Sequence, residues 1–196
     1  MNGFNQIEKD LRKIRDEVLD CKKCPLYKTR VLPVIGEGNH QAKIVLCGEA
    51  PGFNESKTGR PFCGHAGRVL DELLESVGIK RQEVYIANIL KDRPPQNRNP
   101  QKEEIEACAP YLERQIEIIK PKIIGALGNY ATAYILEKYG LKEEIQGISK
   151  IHGEVFEAKI SFGQIKIIPF YHPAVVVYNQ NMKRELEKDF KILKKV

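Results

Sequence analysis

The sequence predicts an α/β fold, a three-layer α/β/α sandwich built on a mostly parallel, four-stranded central sheet. Short apolar runs that match buried strands alternate with segments whose apolar residues recur at helical spacing. Such alternation is typical of βαβ units, in which helices cover both faces of a parallel sheet. The chain has 196 residues, 42% of them hydrophobic, which is enough for one sizeable core. We therefore expect a single domain over residues 1–196.

Four apolar runs supply the predicted parallel strands: 42–50, 83–90, 122–128 and 164–172. The first run ends in a Gly/Pro loop, as a buried parallel strand does. A fifth run, 154–160, is predicted to pair with the last strand through a turn at Ser161-Phe162-Gly163.

Helices are predicted between these strands from the spacing of apolar residues, at 4–20, 65–77, 130–139 and from Met182 to Leu193. Another helix is predicted to begin at the Asn-Pro pair 99–100. Asn is a favoured N-cap, Pro fits the first helical position, and two glutamates follow in the first turn.

Composition limits the functional classes. The net charge of +6 and pI near 9.0 favour a polyanionic partner. No run approaches the ~20 apolar residues of a membrane span, and the first residues are too densely charged for a signal peptide. We expect a cytoplasmic protein without membrane contact. Five cysteines, an odd number, argue against a disulfide framework and leave a metal site or buried thiols.

Polar groups stand where the predicted strands end. The loop 48–52 (GEAPG) carries Glu49, Asn88 ends the second strand, and His172 ends the last. Taken singly, the loop fits a tight turn, and Phe62 and His172 fit core positions. In doubly wound sheets, however, ligands bind beyond the carboxyl ends of the strands. A carboxylate, an amide, an aromatic ring and an imidazole at one edge suit a heterocyclic base.

Three motifs together resemble the thermostable, iron–sulfur uracil-DNA glycosylases of family four. They are GEAPGxxExxxGRPFxGxAG, NILKxRPPxNRNP and HPA, and the resemblance runs from Cys21 to beyond His172. It implies a single α/β/α domain that hydrolyses the N-glycosidic bond of deoxyuridine in DNA, releasing uracil and leaving an abasic site. The implied partner is uracil-containing DNA, single- or double-stranded, and we expect a monomer.

The resemblance also implies roles for individual residues. Glu49 and His172 are the expected catalytic residues: Glu49 orients water, and His172 contacts uracil O2. Phe62 stacks on the uracil ring, and Asn88 reads its N3 and O4 edge. The backbone of Gly48 and Ala50 faces the base.

In the resembling family four cysteines hold a [4Fe–4S] cluster. Cys21, Cys24 and Cys108 match three of these positions, and the fourth is Asp92. We expect Asp92 to be the fourth ligand, and a carboxylate, being harder than a thiolate, should hold its iron more loosely.

Other arrangements of the cysteines stay open at this point. Cys63 could be the fourth ligand, the cluster could lack a fourth protein ligand, or the cysteines could be buried thiols. Cys47 lies within a strand, where a small apolar residue fits. A cluster would fasten the N-terminal helix to residues 92–108 and hold Arg93 and Arg98 against DNA phosphates.

Two other functions remain open from the sequence. One is a non-catalytic iron–sulfur protein that binds nucleic acid. The other is a superfamily relative with altered base preference or tight abasic-site binding. The loop after His172 bears on the second, because Val175–Val177 and Tyr178 could wedge a duplex or pack against the fold. Release of uracil from an oligonucleotide distinguishes these functions.

Overall fold

The computed structural model describes residues 2–194, with side chains from residue 6 onward. The ends of the predicted domain, residue 1 and residues 195–196, lie outside this range. The helices and strands are α1 (Asn2–Leu19), β1 (Glu37–Gly38), β2 (Ile44–Gly48), α2 (Phe53–Thr58), α3 (His65–Ser76), β3 (Tyr85–Asn88), α4 (Lys102–Ile119), β4 (Ile123–Leu127), α5 (Asn129–Lys138), α6 (Ile148–Ile151), β5 (Phe156–Ile160), β6 (Gly163–Phe170), α7 (Ala174–Tyr178) and α8 (Met182–Phe190). Among the described residues, no helix combines the length and apolar character needed to cross a bilayer.

The six strands form one sheet in the order β1-β3-β2-β4-β6-β5. The inner strands β3, β2, β4 and β6 are parallel, whereas β1 and β5 pair antiparallel at the two edges. The predicted α/β class and its four parallel strands are confirmed. The predicted strand count was wrong, because β5 extends the central sheet and β1 has only two residues, too few to leave an apolar pattern in the sequence.

The inner strands are buried on both faces, which explains their continuous apolar sequences. In β2, Val45 and Cys47 belong to a core cluster that includes residues of α1, α4 and α5. Leu46, between them, belongs to a second cluster with residues of α3, α7 and α8. The helices thus form a layer on each side of the sheet, and both clusters lie below the edge at which β2 and β3 end.

Helix α4 begins later than predicted. Its N-cap is Gln101 rather than the Asn-Pro pair 99–100, because the Glu104 carboxylate accepts a hydrogen bond from the Gln101 amide at 2.8 Å. Arg98 donates to both Glu104 oxygens at 2.9 and 2.5 Å. Glu104 is fully buried. Arg98, expected to face DNA, therefore holds the start of this helix.

Candidate functional site

The carboxyl ends of β2 and β3 bring Gly48 beside Asn88. The two residues are register partners in the parallel pair. Pairing continues into the loops, where the Ile89 amide donates to the Gly48 carbonyl and the Leu90 amide to the Glu49 carbonyl, both at 3.0 Å. Glu49 and Asn88 therefore leave the sheet at the same edge, as the sequence predicts.

Gly48 makes room for two functional side chains. A Cβ at this position would lie 2.3 Å from Asn88 Oδ1 and 2.9 Å from two carbons of the Phe62 ring. Asn88 and Phe62 are 2% and 6% exposed. A hydrogen at residue 48 is thus what lets the amide and the ring converge in one narrow space.

Phe62 adopts a backbone conformation that few non-glycine residues accept, with φ of 47°. Arg81 holds it there, donating to the Phe62 carbonyl at 3.2 Å and to the Pro61 carbonyl at 2.6 Å. Glu37 accepts from Arg81 at 3.0 Å. A Cβ on Gly67 would lie 1.8 Å from the Phe62 carbonyl oxygen. The sequence indicates Gly67 through the GRPFxGxAG motif, but nothing in it indicates Arg81.

His172 completes the aromatic side of the site. Its ring centroid lies 5.5 Å from that of Phe62, with 30° between the ring planes. The Ala174 amide donates to His172 Nδ1 at 3.2 Å, so Nδ1 is an acceptor and the proton of the neutral ring is assigned to Nε2. Burial lowers the pKa of His172 to about 4. At neutral pH the imidazole is therefore uncharged and can donate from Nε2.

Glu49 and Ala50 lie in the loop after β2 and are partly buried. Burial alone raises the pKa of the Glu49 carboxyl, with no charge partner or hydrogen bond among the causes. An unpaired, partly desolvated carboxylate is suited to accept a proton from water. Glu55 in the same motif accepts from the Cys63 and Gly64 amides at 3.2 Å, which fastens the loop that follows Phe62.

The four predicted cluster ligands line one cavity beside the end of α1. Cys21, Cys24, Cys108 and Asp92 all contribute to its wall. Asp92 is 3% exposed and bound by Arg30, whose Nε donates to Oδ1 at 2.7 Å and Nη2 to Oδ2 at 2.6 Å. A buried carboxylate requires such a partner, but nothing in the sequence identifies Arg30 as that partner.

The donor set in this cavity fits a cluster better than a single ion. Among the described residues, no three His, Cys, Asp or Glu side chains are grouped to share one metal ion. Zinc ligands converge within ~2.3 Å of one atom, whereas each cluster thiolate binds a different iron and stands farther from the others. Three thiols and one carboxylate line this cavity, and thiolates are the usual ligands of iron–sulfur clusters.

The other two cysteines lie elsewhere. Cys63 Sγ is 3.2 Å from Thr58 Oγ1, on the loop that follows Phe62. Cys47 is fully buried in β2, and burial raises its pKa to about 12. Neither lines the cavity of Cys21, Cys24 and Cys108.

Lys91 connects the two parts of the site. Its side chain is fully buried, and Nζ donates to the Asn88 carbonyl and to Gln115 Oε1, both at 2.9 Å. Its backbone amide donates to Cys108 Sγ at 3.1 Å. Asn88 and a candidate cluster ligand are therefore both hydrogen-bonded to the same lysine.

The segment after His172 forms the short helix α7. Val176 packs into the core, whereas Val177 and Tyr178 are 45% and 89% exposed. Val176 therefore packs against the fold, whereas wedging of a duplex by Val177 and Tyr178 stays a prediction.

Comparison with known proteins agrees with this geometry. Residues 35–194 match the family model described as Uracil DNA glycosylase superfamily. The type-4 uracil-DNA glycosylase of Sulfurisphaera tokodaii is 46% identical over 187 residues, covering 95% of this chain and 84% of the relative. That of Archaeoglobus fulgidus is 46% identical over 175 residues, covering 89% and 87%. That of Thermotoga maritima is 44% identical over 168 residues, covering 86% and 83%. The chain therefore belongs to the type-4 uracil-DNA glycosylases of the uracil DNA glycosylase superfamily.

Proposed function

We propose that the edge formed by Gly48, Glu49, Phe62, Asn88 and His172 binds a uracil flipped out of DNA and carries its excision. The protein is a DNA repair glycosylase that removes uracil. The observation that supports this location is the convergence of the Asn88 amide and the Phe62 ring over Gly48. Flipping costs a few kcal/mol and is cheapest at a mismatch or in a single strand.

Recognition of the base rests on Phe62 and Asn88. The Phe62 ring stacks on the uracil plane. The Asn88 amide accepts from uracil N3–H and donates to O4. Cytosine presents an acceptor at N3 and an amino group at C4, so both hydrogen bonds are mismatched. A site built around such polar pairs rejects the wrong base strongly, because its own groups are left unpaired.

Departure of uracil leaves a negative charge on the base. His172 donates from Nε2 to O2 as this charge grows, and backbone amides near Gly48 and Ala50 assist. Because Nδ1 is held by the Ala174 amide, the donor needs no reorganisation during the reaction. One such hydrogen-bond donor typically lowers the activation free energy by about 3–4 kcal/mol.

Glu49 acts on the sugar side. As the glycosidic bond breaks, the sugar becomes oxocarbenium-like, and the Glu49 carboxylate offsets its positive charge. The same group orients a water molecule and takes its proton when the water attacks C1′. Its raised pKa has burial as the cause, which fits a base poised for this step.

Uracil release from single-stranded, U·A and G·U oligonucleotides tests this assignment, with anaerobically purified protein. We expect Asn88→Asp to excise cytosine measurably while losing uracil selectivity. Asn39→Asp is the matched control: its Oδ1 accepts from the Gln41 amide, a bond that aspartate retains. If Asn88→Asp and the control behave alike on both bases, Asn88 does not read the base.

We also propose that Cys21, Cys24 and Cys108 hold a [4Fe–4S] cluster, with Asp92 at the fourth position. When bound, the cluster would cross-link the end of α1 to residues 92–108. Arg30 orients the Asp92 carboxylate and offsets its charge, as outer-shell partners of metal ligands do.

Iron and sulfide analysis of the anaerobic protein tests the cluster independently of glycosylase activity. We expect Arg30→Met to lose iron faster in air and Asp92→Cys to retain it longer. Stoichiometric zinc, or no metal, would contradict the cluster. A monomeric state, a single domain and a cytoplasmic location stay predictions.

A further inference from the structure

Phe53 is an exposed aromatic ring beside the uracil site. It is the first residue of α2 and follows the 48–52 loop directly. Its exposed fraction is 50%, whereas Phe62, Phe170 and Phe190 are buried. One exposed apolar side chain is ordinary in itself, so its meaning depends on the groups around it.

Two cations lie over this ring in cation–π contacts. Lys57 Nζ lies 4.2 Å, and Arg93 Cζ 5.1 Å, from the ring centroid. Lys57 belongs to α2, which follows β2, and Arg93 follows β3, so the cations come from segments that extend from neighbouring strands. Within residues 2–194, none of the ion pairs involves either cation. Both charges are therefore available to an external anion.

The apolar surface extends beyond the ring. Val31 and Leu32 are 65% and 44% exposed, and the Leu32 amide donates to the Ser56 carbonyl at 3.0 Å, which fastens this segment to α2. A cavity between them is also lined by Arg93, Pro94 and Pro95. We call the surface formed by Val31, Leu32, Phe53, Lys57 and Arg93 the Phe53 patch.

We propose that the Phe53 patch binds the substrate strand next to the flipped uracil. Lys57 and Arg93 move from the ring onto flanking phosphates, and the ring that they uncover stacks on the adjacent base. This inference rests on the proposed uracil site. When uracil leaves the stack, the neighbouring base loses one stacking partner, and an aromatic ring at the site's rim can replace it. An aromatic side chain between cations is the arrangement by which proteins hold single strands without reading sequence.

Binding to an uncleavable substrate tests the stacking. The probe is a single-stranded oligonucleotide with one 2′-fluoro-deoxyuridine, whose fluorine disfavours positive charge on the sugar. We expect Phe53→Ala to weaken binding about 5- to 100-fold, as measured by fluorescence anisotropy. Phe53→Leu should restore only the part of the binding affinity that comes from burying an apolar side chain. Val155→Ala is the control, because Val155 is 40% exposed and precedes β5 at the opposite edge of the sheet.

A second set of probes separates the base from the phosphates. An abasic residue placed on either side of the uracil analogue removes one base and keeps the backbone. At one of these two positions the abasic residue should weaken binding by the wild type. The affinity of Phe53→Ala should be the same for the probes with and without that abasic residue. Lys57→Gln and Arg93→Gln should each reduce the slope of log K against log salt by ~0.7. Lys159→Gln, on β5, should leave it unchanged.

The inference is overturned if Phe53→Ala binds within about twofold of wild type, or loses equal affinity with and without both neighbouring bases. Single-turnover uracil release at saturating enzyme keeps this separate from the proposed function. If wild type releases no uracil, the uracil site itself is wrong, whatever the patch binds.

Discussion

Gly48→Ala tests the geometry of the uracil pocket directly. The added Cβ would stand 2.3 Å from Asn88 Oδ1, where ordinary contact begins at 3.4 Å, so the amide oxygen must move by about 1.1 Å. The Phe62 ring, at 2.9 Å, must also shift. A displacement of ~1 Å at a catalytic site can cost ~100-fold in rate. We expect the single-turnover rate of uracil release to fall about 100-fold.

The assay is single-turnover release of uracil from a single-stranded oligonucleotide, with urea unfolding measured in parallel. Overpacking a buried site typically costs 1–3 kcal/mol in stability, so the variant should remain folded. Gly147→Ala is the control, because its φ is −58° and the nearest atom to a new Cβ is 3.9 Å away.

Repeating the substitution in the Asn88→Ala variant tests whether the loss of activity comes from the clash with the Asn88 amide. In Asn88→Ala the clash with Oδ1 is gone, so adding Gly48→Ala should cost much less than it does in wild type. The reasoning is refuted if folded Gly48→Ala excises uracil at nearly the wild-type rate. It is also refuted if the penalty is the same with and without the Asn88 amide.

Three further results are expected. Arg81→Met should slow excision, because it releases the strained Phe62, and in a Phe62→Ala background it should slow excision no further. In the folded protein burial depresses the pKa of His172 to about 4. The histidine of the unfolded chain titrates near pH ~6.5. The free energy of unfolding should therefore be highest above pH ~6.5 and fall by up to about 3 kcal/mol as the pH drops towards 4. Urea unfolding of His172→Gln should therefore show less acid destabilisation than wild type. Glu104→Gln should lower the free energy of unfolding by about 2–3 kcal/mol, because Glu104 is buried while its partner Arg98 is only partly buried. The control is Glu106→Gln, which breaks an exposed ion pair with Lys102 and should lower it by less than about 1 kcal/mol.

Local pattern was sufficient for the inner sheet and for the position of Asn88. A strand buried on both faces needs a continuous apolar run, and such a run shows in the sequence. The amide that ends it is conspicuous because it is polar. The start of α4 was misplaced because Asn99 is a favoured N-cap residue, whereas the helix begins after Gln101, whose amide donates to the Glu104 side chain.

The partners of the site residues could not be predicted in this way. Arg30 and Asp92 are 62 positions apart in sequence, and Arg81 and Phe62 are 19 apart. Such pairs form only when the fold brings distant segments together, and neither arginine belongs to a recognisable motif. Sequence therefore indicates the candidate site residues, while the structure identifies the residues that hold them in place.

The position of Lys91 has a consequence for protein engineering. One residue bonds to Asn88 through its side chain and to Cys108 through its backbone, and Gln115 completes the arrangement. Residues 88–92 therefore cannot be redesigned one at a time, nor transplanted into another scaffold without Gln115. A library that aims at new base specificity should keep Lys91 and Gln115 fixed and vary the residues that face the base.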